Sequence, residues 1–170
     1  MEKTIRITRP MVVDQMLEDV VSFHKLKVLE PSAGSGNLVD CLMKINKTMS
    51  VDCVELNKEL RQELQNKGYN VIGSDFLALE PNPIYDLVIA APTYKNNVDI
   101  LHIQHMYEFL KPTGKLISLS YPAWITGEAS FQIEFRKWLR TKNYSMRMLE
   151  DYSFVENYRT QPSLILTITK

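Results

Sequence analysis

The chain has 170 residues, 45% hydrophobic and 24% charged, with twenty basic side chains balanced by twenty acidic ones. That length points to one domain over 1–170 with a core of its own, and the cancelled charge gives tight non-specific binding to a polyphosphate no global help. No apolar run approaches the roughly 20 residues of a membrane span, and "MEKTIRITRP" lacks the apolar core of a signal peptide, so a cytoplasmic location is expected.

In chain order, helix-like and strand-like segments alternate. "MVVDQMLEDVVSF" sets Val12, Met16, Val20 and Phe23 at helical spacing. "KVLE" predicts a short strand that runs into the glycine turn "PSAGSGN" and a helix to about Met43. "VDCVE" predicts the next strand, and "NKELRQELQNKG" a polar helix stopped by Gly68. "NVIGSD" and "DLVIAA" follow as strands. "DILHIQHMYEFLKPTG" predicts a helix ended by Pro112 and Gly114, feeding the strand "KLISLS". "FQIEFRKWLR" puts Phe131, Phe135, Trp138 and Leu139 on one side of a helix, and two strands near "SMRML" and "SLILTIT" make a hairpin-like finish. The expected fold is α/β: a doubly wound, Rossmann-like mixed sheet of seven strands, the last antiparallel, with ligand at the carboxyl ends of the first strands.

"VLEPSAGSGN" carries the strongest chemical signal. Gly34 and Gly36, between a strand and a helix start, allow close backbone approach to a ligand. A dinucleotide fingerprint would place a third small residue where this chain has Val39, and the carboxylate of Glu30 would repel a pyrophosphate. Glu30 suits a cationic ligand end instead, an ammonium or a sulfonium, and the cofactor that fits is S-adenosylmethionine. Glu55 closes the second strand 21 residues after Gly34, the place for a carboxylate that accepts ribose hydroxyls. Asp75 closes the third and can accept from an adenine amino group, with Phe76 or Leu56 against the ring. Each acid alone also reads as a solvated strand end; three at successive strand ends argue for the cofactor.

With these motifs, the whole chain resembles the class I S-adenosylmethionine-dependent methyltransferases, and within them the N6-adenine DNA methylases. "TRPMVVDQML" is similar to the family's Thr-x-Pro segment, which implies Thr8 and Pro10 beside the methionine end of the cofactor. "EPSAGSGN" resembles the cofactor loop and implies contacts from Glu30, Pro31, Ser32, Ala33, Gly34, Gly36 and Asn37. "VELN", with Glu55 and Leu56, is similar to the ribose-binding strand end, and "SDFL", with Asp75 and Phe76, to the adenine-binding one. "DLVIAAPTY" takes the place of the catalytic Asn/Asp-Pro-Pro-Tyr/Phe tetrapeptide, with Ala91 also beside the cofactor. In the family, the polar first residue and the carbonyl after it orient the target amine, and the aromatic stacks on a base taken out of the duplex. Here Ala91 has no side-chain acceptor and Thr93 replaces the second proline, while Pro92 and Tyr94 keep the turn and the stacking surface.

The resemblance implies S-adenosylmethionine as cofactor, S-adenosylhomocysteine as product, DNA as partner, and altered or weakened catalysis. Three readings follow: an active enzyme with a relaxed acceptor, a cofactor-binding module or subunit without catalysis, or an adenine methylase that recruits Thr93, Asn96, Asn97 or Asp99. Those polar residues read equally as caps of the next helix.

The remaining features are less specific. Cys41 and Cys53 read as reduced, buried thiols, and His102 with His105 lacks a third ligand, so no metal is expected. His24 reads as surface. Trp124 lines an acceptor pocket or packs on the core. Lys137, Arg140, Lys142, Arg147 and Arg159 form either a basic patch or a solvated face. "EDYSFVENYRTQPS" is placed to cover the pocket. Only short loops around 121–130 and 150–162 are available for target recognition, so sequence-specific DNA reading by this chain alone is not expected, which leaves a partner subunit, a small substrate or a non-specific role open.

Overall fold

The computed structural model describes residues 10–18, 20, 25–92, 98–149, 155–156, 159–160 and 162–170. The expectations on Thr8, Phe23, His24, Thr93, Tyr94, Asn96 and Asn97 therefore lie outside the described residues, as does the side chain of Pro10.

Strands of near-continuous Val, Ile and Leu cannot leave either face in water, so they assemble with helices on both sides. β1 (Lys27–Glu30), β2 (Ser50–Val54), β3 (Asn70–Gly73), β4 (Tyr85–Ala90) and β5 (Leu110–Ser120) run parallel. β9 (Ser163–Thr169) pairs antiparallel with both β5 and β6 (Asn143–Leu149). The seven-stranded order is β3-β2-β1-β4-β5-β9-β6, which is the mixed sheet with an antiparallel last strand that the alternation predicts.

α1 (Pro10–Leu17), α2 (Asn37–Ile45) and α3 (Lys58–Asn66) cover one face, where Val13, Met16, Val39, Leu42 and Leu64 pack on Val28, Cys53 and Ile89. α4 (Val98–Glu108), α5 (Ala123–Thr126) and α6 (Ser130–Leu139) cover the other, where Ile100, Ile103, Met106, Trp124 and Phe135 meet Leu29, Val88 and Leu166. Toward the amino ends of the strands, buried Asp52 accepts from Tyr85 Oη at 2.9 Å and Asn70 Nδ2 at 2.7 Å, and pairs with Lys27 at 3.2 Å. Every polar group brought inside there has a partner.

Three elements differ from expectation. The strand after α4 begins at Leu110, so Pro112 and Gly114 end no helix. They lie in a bulge, where the β4–β5 register jumps from Tyr85↔Leu110 to Leu87↔Lys115 and Thr113 takes φ 66. Lys170 closes this bulge, with Thr113 N donating to Lys170 O at 2.8 Å and Lys170 N to Gly114 O at 2.9 Å. Residues 123–126, expected as loop, form α5. The segment between β6 and β9 holds a two-stranded ribbon, β7 (Val155–Glu156) with β8 (Arg159–Thr160). No helix among the described residues is long and apolar enough to cross a membrane.

Candidate functional site

The carboxyl ends of β1, β2 and β4 meet at the middle of the sheet, and the chain departs from each by a turn its sequence specifies. After Glu30 the backbone turns through Gly34 at φ 56 and Gly36 at φ 91, where other L-residues would cost roughly 1–2 kcal/mol each. The two glycines do different work. A Cβ at Gly34 would meet nothing within 4 Å, so open space lies against the loop there. A Cβ at Gly36 would fall 2.9 Å from Leu64 Cδ2 and 3.2 Å from Tyr69 Cε2, so that glycine admits the protein's own packing.

The loop is held from several sides. Ala33 N donates to Val54 O at 3.0 Å, and Lys67 Nζ donates to Ser35 O at 2.6 Å. Asp40 accepts from the Tyr69 hydroxyl and from Lys67 at 3.3 Å. Glu55 braces it from the β2 end: Oε2 accepts from Gly34 N at 2.8 Å and Oε1 from Asn57 N at 2.7 Å. Arg61 Nη1 donates to Glu55 O at 2.8 Å and Leu56 O at 2.7 Å, while Asn57 Oδ1 caps α3 through Glu59 N at 2.8 Å. Leu56 is left 73% exposed at the rim.

At the β3 end, exposed Asp75 caps the short 3-10 turn Phe76–Ala78, Oδ1 accepting from Leu77 N at 3.1 Å. Phe76 is a correction to the sequence reading. Its ring is 2% exposed and packs against His102 at 5.3 Å, His105 at 4.8 Å and Phe109 at 5.2 Å, so it belongs to the core. Of the two side chains expected against a ligand ring, only Leu56 is free to take that role.

Glu30 is 2% exposed, with Oε1 accepting from Ser32 N at 3.0 Å and Ser32 Oγ at 3.3 Å. Pro31 and Ala33 are buried beside it; Ser32 and Asn37, the latter opening α2, are half-buried. Burial pushes the Glu30 carboxyl up to about 8, against the Ser32 bonds and with the Glu55 charge adding to the rise. A group protonated more readily in the folded state stabilises it fully below its unfolded value, near 4.5, and loses that contribution as pH rises toward about 8. The expected outcome is a fall in stability across that window, by up to about 1.4 kcal/mol per pH unit, that Glu30→Gln flattens in urea titrations. Identical pH profiles for parent and variant would show that Glu30 titrates normally.

Beside Glu30, β4 ends at Ala90 and is followed by half-buried Ala91 and buried Pro92. Ala91 packs against the α1–α3 core cluster. Asp99, in the first turn of α4, is committed elsewhere: Oδ2 accepts from Ser120 Oγ at 2.7 Å and Tyr121 N at 3.1 Å. Ser120 Oγ in turn accepts from Trp124 Nε1 at 2.9 Å. Burial raises the Asp99 carboxyl, and its hydrogen bonds oppose the shift. This latch ties α4 and α5 to the end of β5, and no linear spacing announces it. Trp124 is 4% exposed and stands edge-on to Phe135 at 5.0 Å, so it packs on the core.

His105 Nε2 lies 3.0 Å from Leu79 O, and burial lowers His102 to about 4. Among the described residues, no group of three or more His, Cys, Asp or Glu could hold a metal. Cys41 and Cys53 are free; Cys53 is buried as expected but Cys41 is only half-buried, and burial pushes the Cys53 thiol up to about 12. The side chain of Arg159 lies outside the described residues, and three others of the expected basic set have separate partners. Lys137 pairs with Glu134 at 2.8 Å, Arg147 with Glu18 at 2.7 Å, and Lys142 lies 4.4 Å over the Tyr107 ring.

No protein-family model and no curated protein matches the chain in sequence. Solved structures match it in fold. The precorrin-6y C5,15-methyltransferase of Geobacter metallireducens GS-15 is 17% identical, with a TM-score of 0.67 over 98% of this chain and 91% of that one. The N-methyltransferase NodS of Bradyrhizobium japonicum WM9 is 15% identical, with a TM-score of 0.64 over 94% of each. The [4+2]-cyclase SpnF is 12% identical, with a TM-score of 0.69 over 94% of this chain and 80% of that one. A cyclase among the neighbours separates fold from reaction. The chain has the Rossmann-like fold of the class I methyltransferases.

Proposed function

We propose that this chain is an S-adenosylmethionine-dependent methyltransferase of the amino-methylating, adenine-directed type, acting slowly on a nucleic-acid base. The observation that carries the reading is the Glu55 carboxylate at the mouth of the glycine loop, 2.8 Å from Gly34 N, beside open space at Gly34 and exposed Leu56. Those residues fit the cofactor: Glu55 for ribose hydroxyls, Leu56 for the face of the adenine, Asp75 for its amino group. Buried Glu30 suits the ammonium end, since a cation there favours its ionised form.

When bound, the cofactor supplies an electrophilic methyl group on a sulfonium. The chain's task is alignment of an acceptor lone pair with that methyl group. Ala91 contributes no side-chain acceptor, and Asp99 Oδ2 already accepts from Ser120 Oγ and Tyr121 N. Losing one oriented polar contact costs on the order of 10²–10³ in rate. Adenine methylation by the parent chain is therefore expected below about 1 per second.

Isothermal titration with S-adenosylmethionine and S-adenosylhomocysteine, followed by labelled-methyl transfer to DNA, RNA and protein, tests the reading. Ala91→Asn combined with Thr93→Pro should raise adenine methylation toward 10²-fold. Binding without transfer to any acceptor, in parent and restored variant alike, would favour a cofactor-binding module or subunit. No binding would remove the reading altogether.

A further inference from the structure

We propose that the outer edge of β6, unpaired among the described residues, is the interface of a symmetric dimer, in which β6 pairs antiparallel with its own copy about Met146. β6 ends the sheet order, and none of the described residues pairs with its outer side. It matches β9 over seven consecutive positions, Asn143↔Thr169 to Leu149↔Ser163, with no bulge. Its first six residues are exposed on both faces.

A flat exposed edge is ordinarily blunted by proline, by an outward charge or by a bulge. β6 has none of these. Its one charged side chain, Arg147, is turned onto α1, donating from Nη1 to Glu18 Oε2 at 2.7 Å and from Nη2 to Gln15 O at 2.7 Å. Neighbouring Lys142 is folded over Tyr107 at 4.4 Å and Trp138 at 5.4 Å. On the α6 side the strand shows Tyr144, Met146 and Met148, 38%, 48% and 55% exposed. Through the β9 register they continue the plane of buried Ile168, Leu166 and Leu164 past the last covering helix.

The strand is complementary to itself. Side chains directly opposite in an antiparallel pair share a face, so a two-fold axis normal to the sheet must pass between like residues. Centring it at Met146 uses all seven residues. It sets Tyr144 against Met148 of the copy, Met146 against Met146, and Ser145 against Arg147, so no like charges oppose. A seven-residue edge is about 24 Å long, at the small end of specific interfaces, and the dimer is a reversible one. Because β6 runs parallel to β5, the two-fold points the carboxyl ends of the two parallel sheets in opposite directions. Each copy keeps its own site open to solvent.

The test is sedimentation equilibrium of the full chain from about 1 µM to about 1 mM. A monomer–dimer equilibrium is expected. Met146→Lys sets two ammonium groups face to face and should weaken it at least tenfold, with the monomer's melting temperature unchanged. Met146→Cys adds a readout of register, since the paired Cα atoms lie within disulfide reach. It should cross-link under mild oxidation where the parent, carrying Cys41 and Cys53, does not. Tyr144→Cys, about 14 Å from its own copy in this register, should not cross-link. A parent monomeric at every concentration overturns the proposal and leaves the edge to a strand of a different protein. A dimer indifferent to Met146→Lys, or equal cross-linking at positions 144 and 146, overturns it as well.

Discussion

Glu55→Ala should weaken S-adenosylmethionine binding by roughly tenfold or more, the loss of hydrogen bonds to a charged group worth about 1.5–3 kcal/mol. The carboxylate does two things from one position. In the proposed reading it offers acceptors for the ribose, and in the structure it holds Gly34 N at 2.8 Å and Asn57 N at 2.7 Å. Removing it also loosens the loop, so a melt without ligand belongs beside the titration. A variant that melts like the parent yet binds weakly has lost ligand acceptors; one that melts lower has lost the brace as well. Glu55→Gln keeps the shape but exchanges one acceptor for a donor, and should fall between parent and alanine. Unchanged affinity in both Glu55→Ala and Asp75→Ala would show that the cofactor binds elsewhere.

The second large effect lies on the far face of the sheet. Phe135→Ala should cost about 3–5 kcal/mol of stability while leaving ligand affinity alone. Phe135 is fully buried, edge-on to Trp124 at 5.0 Å and stacked on Trp138 at 5.6 Å. Its loss would open a cavity whose neighbours cannot collapse freely. Trp124 is fixed by its bond to Ser120, and Arg136 Nη1 pins the end of α5 through Trp124 O at 2.5 Å and Gly127 O at 2.7 Å. Denaturant unfolding measures the loss. A cost under about 1 kcal/mol would mean that α6 does not seat Phe135 in the core.

What the sequence disclosed was what local chemistry controls. Apolar runs such as "LVIA" mark strands buried on both sides, and Gly34 and Gly36 mark the turn after β1 that Glu55 braces from the end of β2. Features set by distant partners stayed hidden. Phe76 follows Asp75 and looks available to a ring, yet α4 docks His102 and His105 onto it, and Phe109 just past the helix joins them. Pro112 and Gly114 look like a helix stop, but the backbone of Lys170 draws that stretch into a strand. Trp124 had no helical period to read, since α5 is only four residues long. Asp99 reads as a helix-start acid, and its use becomes visible only when β5 brings Ser120 to it.

The position of β9 between β5 and β6 has a consequence for biosynthesis. A chain emerging from the ribosome presents its segments in sequence order, and the five parallel strands can dock as they appear. β6 cannot: its only described neighbour is β9, which comes after it in the chain. Until β9 is delivered, nascent chains carry two unsatisfied borders, the outer side of β5 and all of β6, and such borders invite mispairing. The last docking event inserts a strand into a gap, forming contacts on both sides at once, so closure of this half of the sheet is cooperative and late.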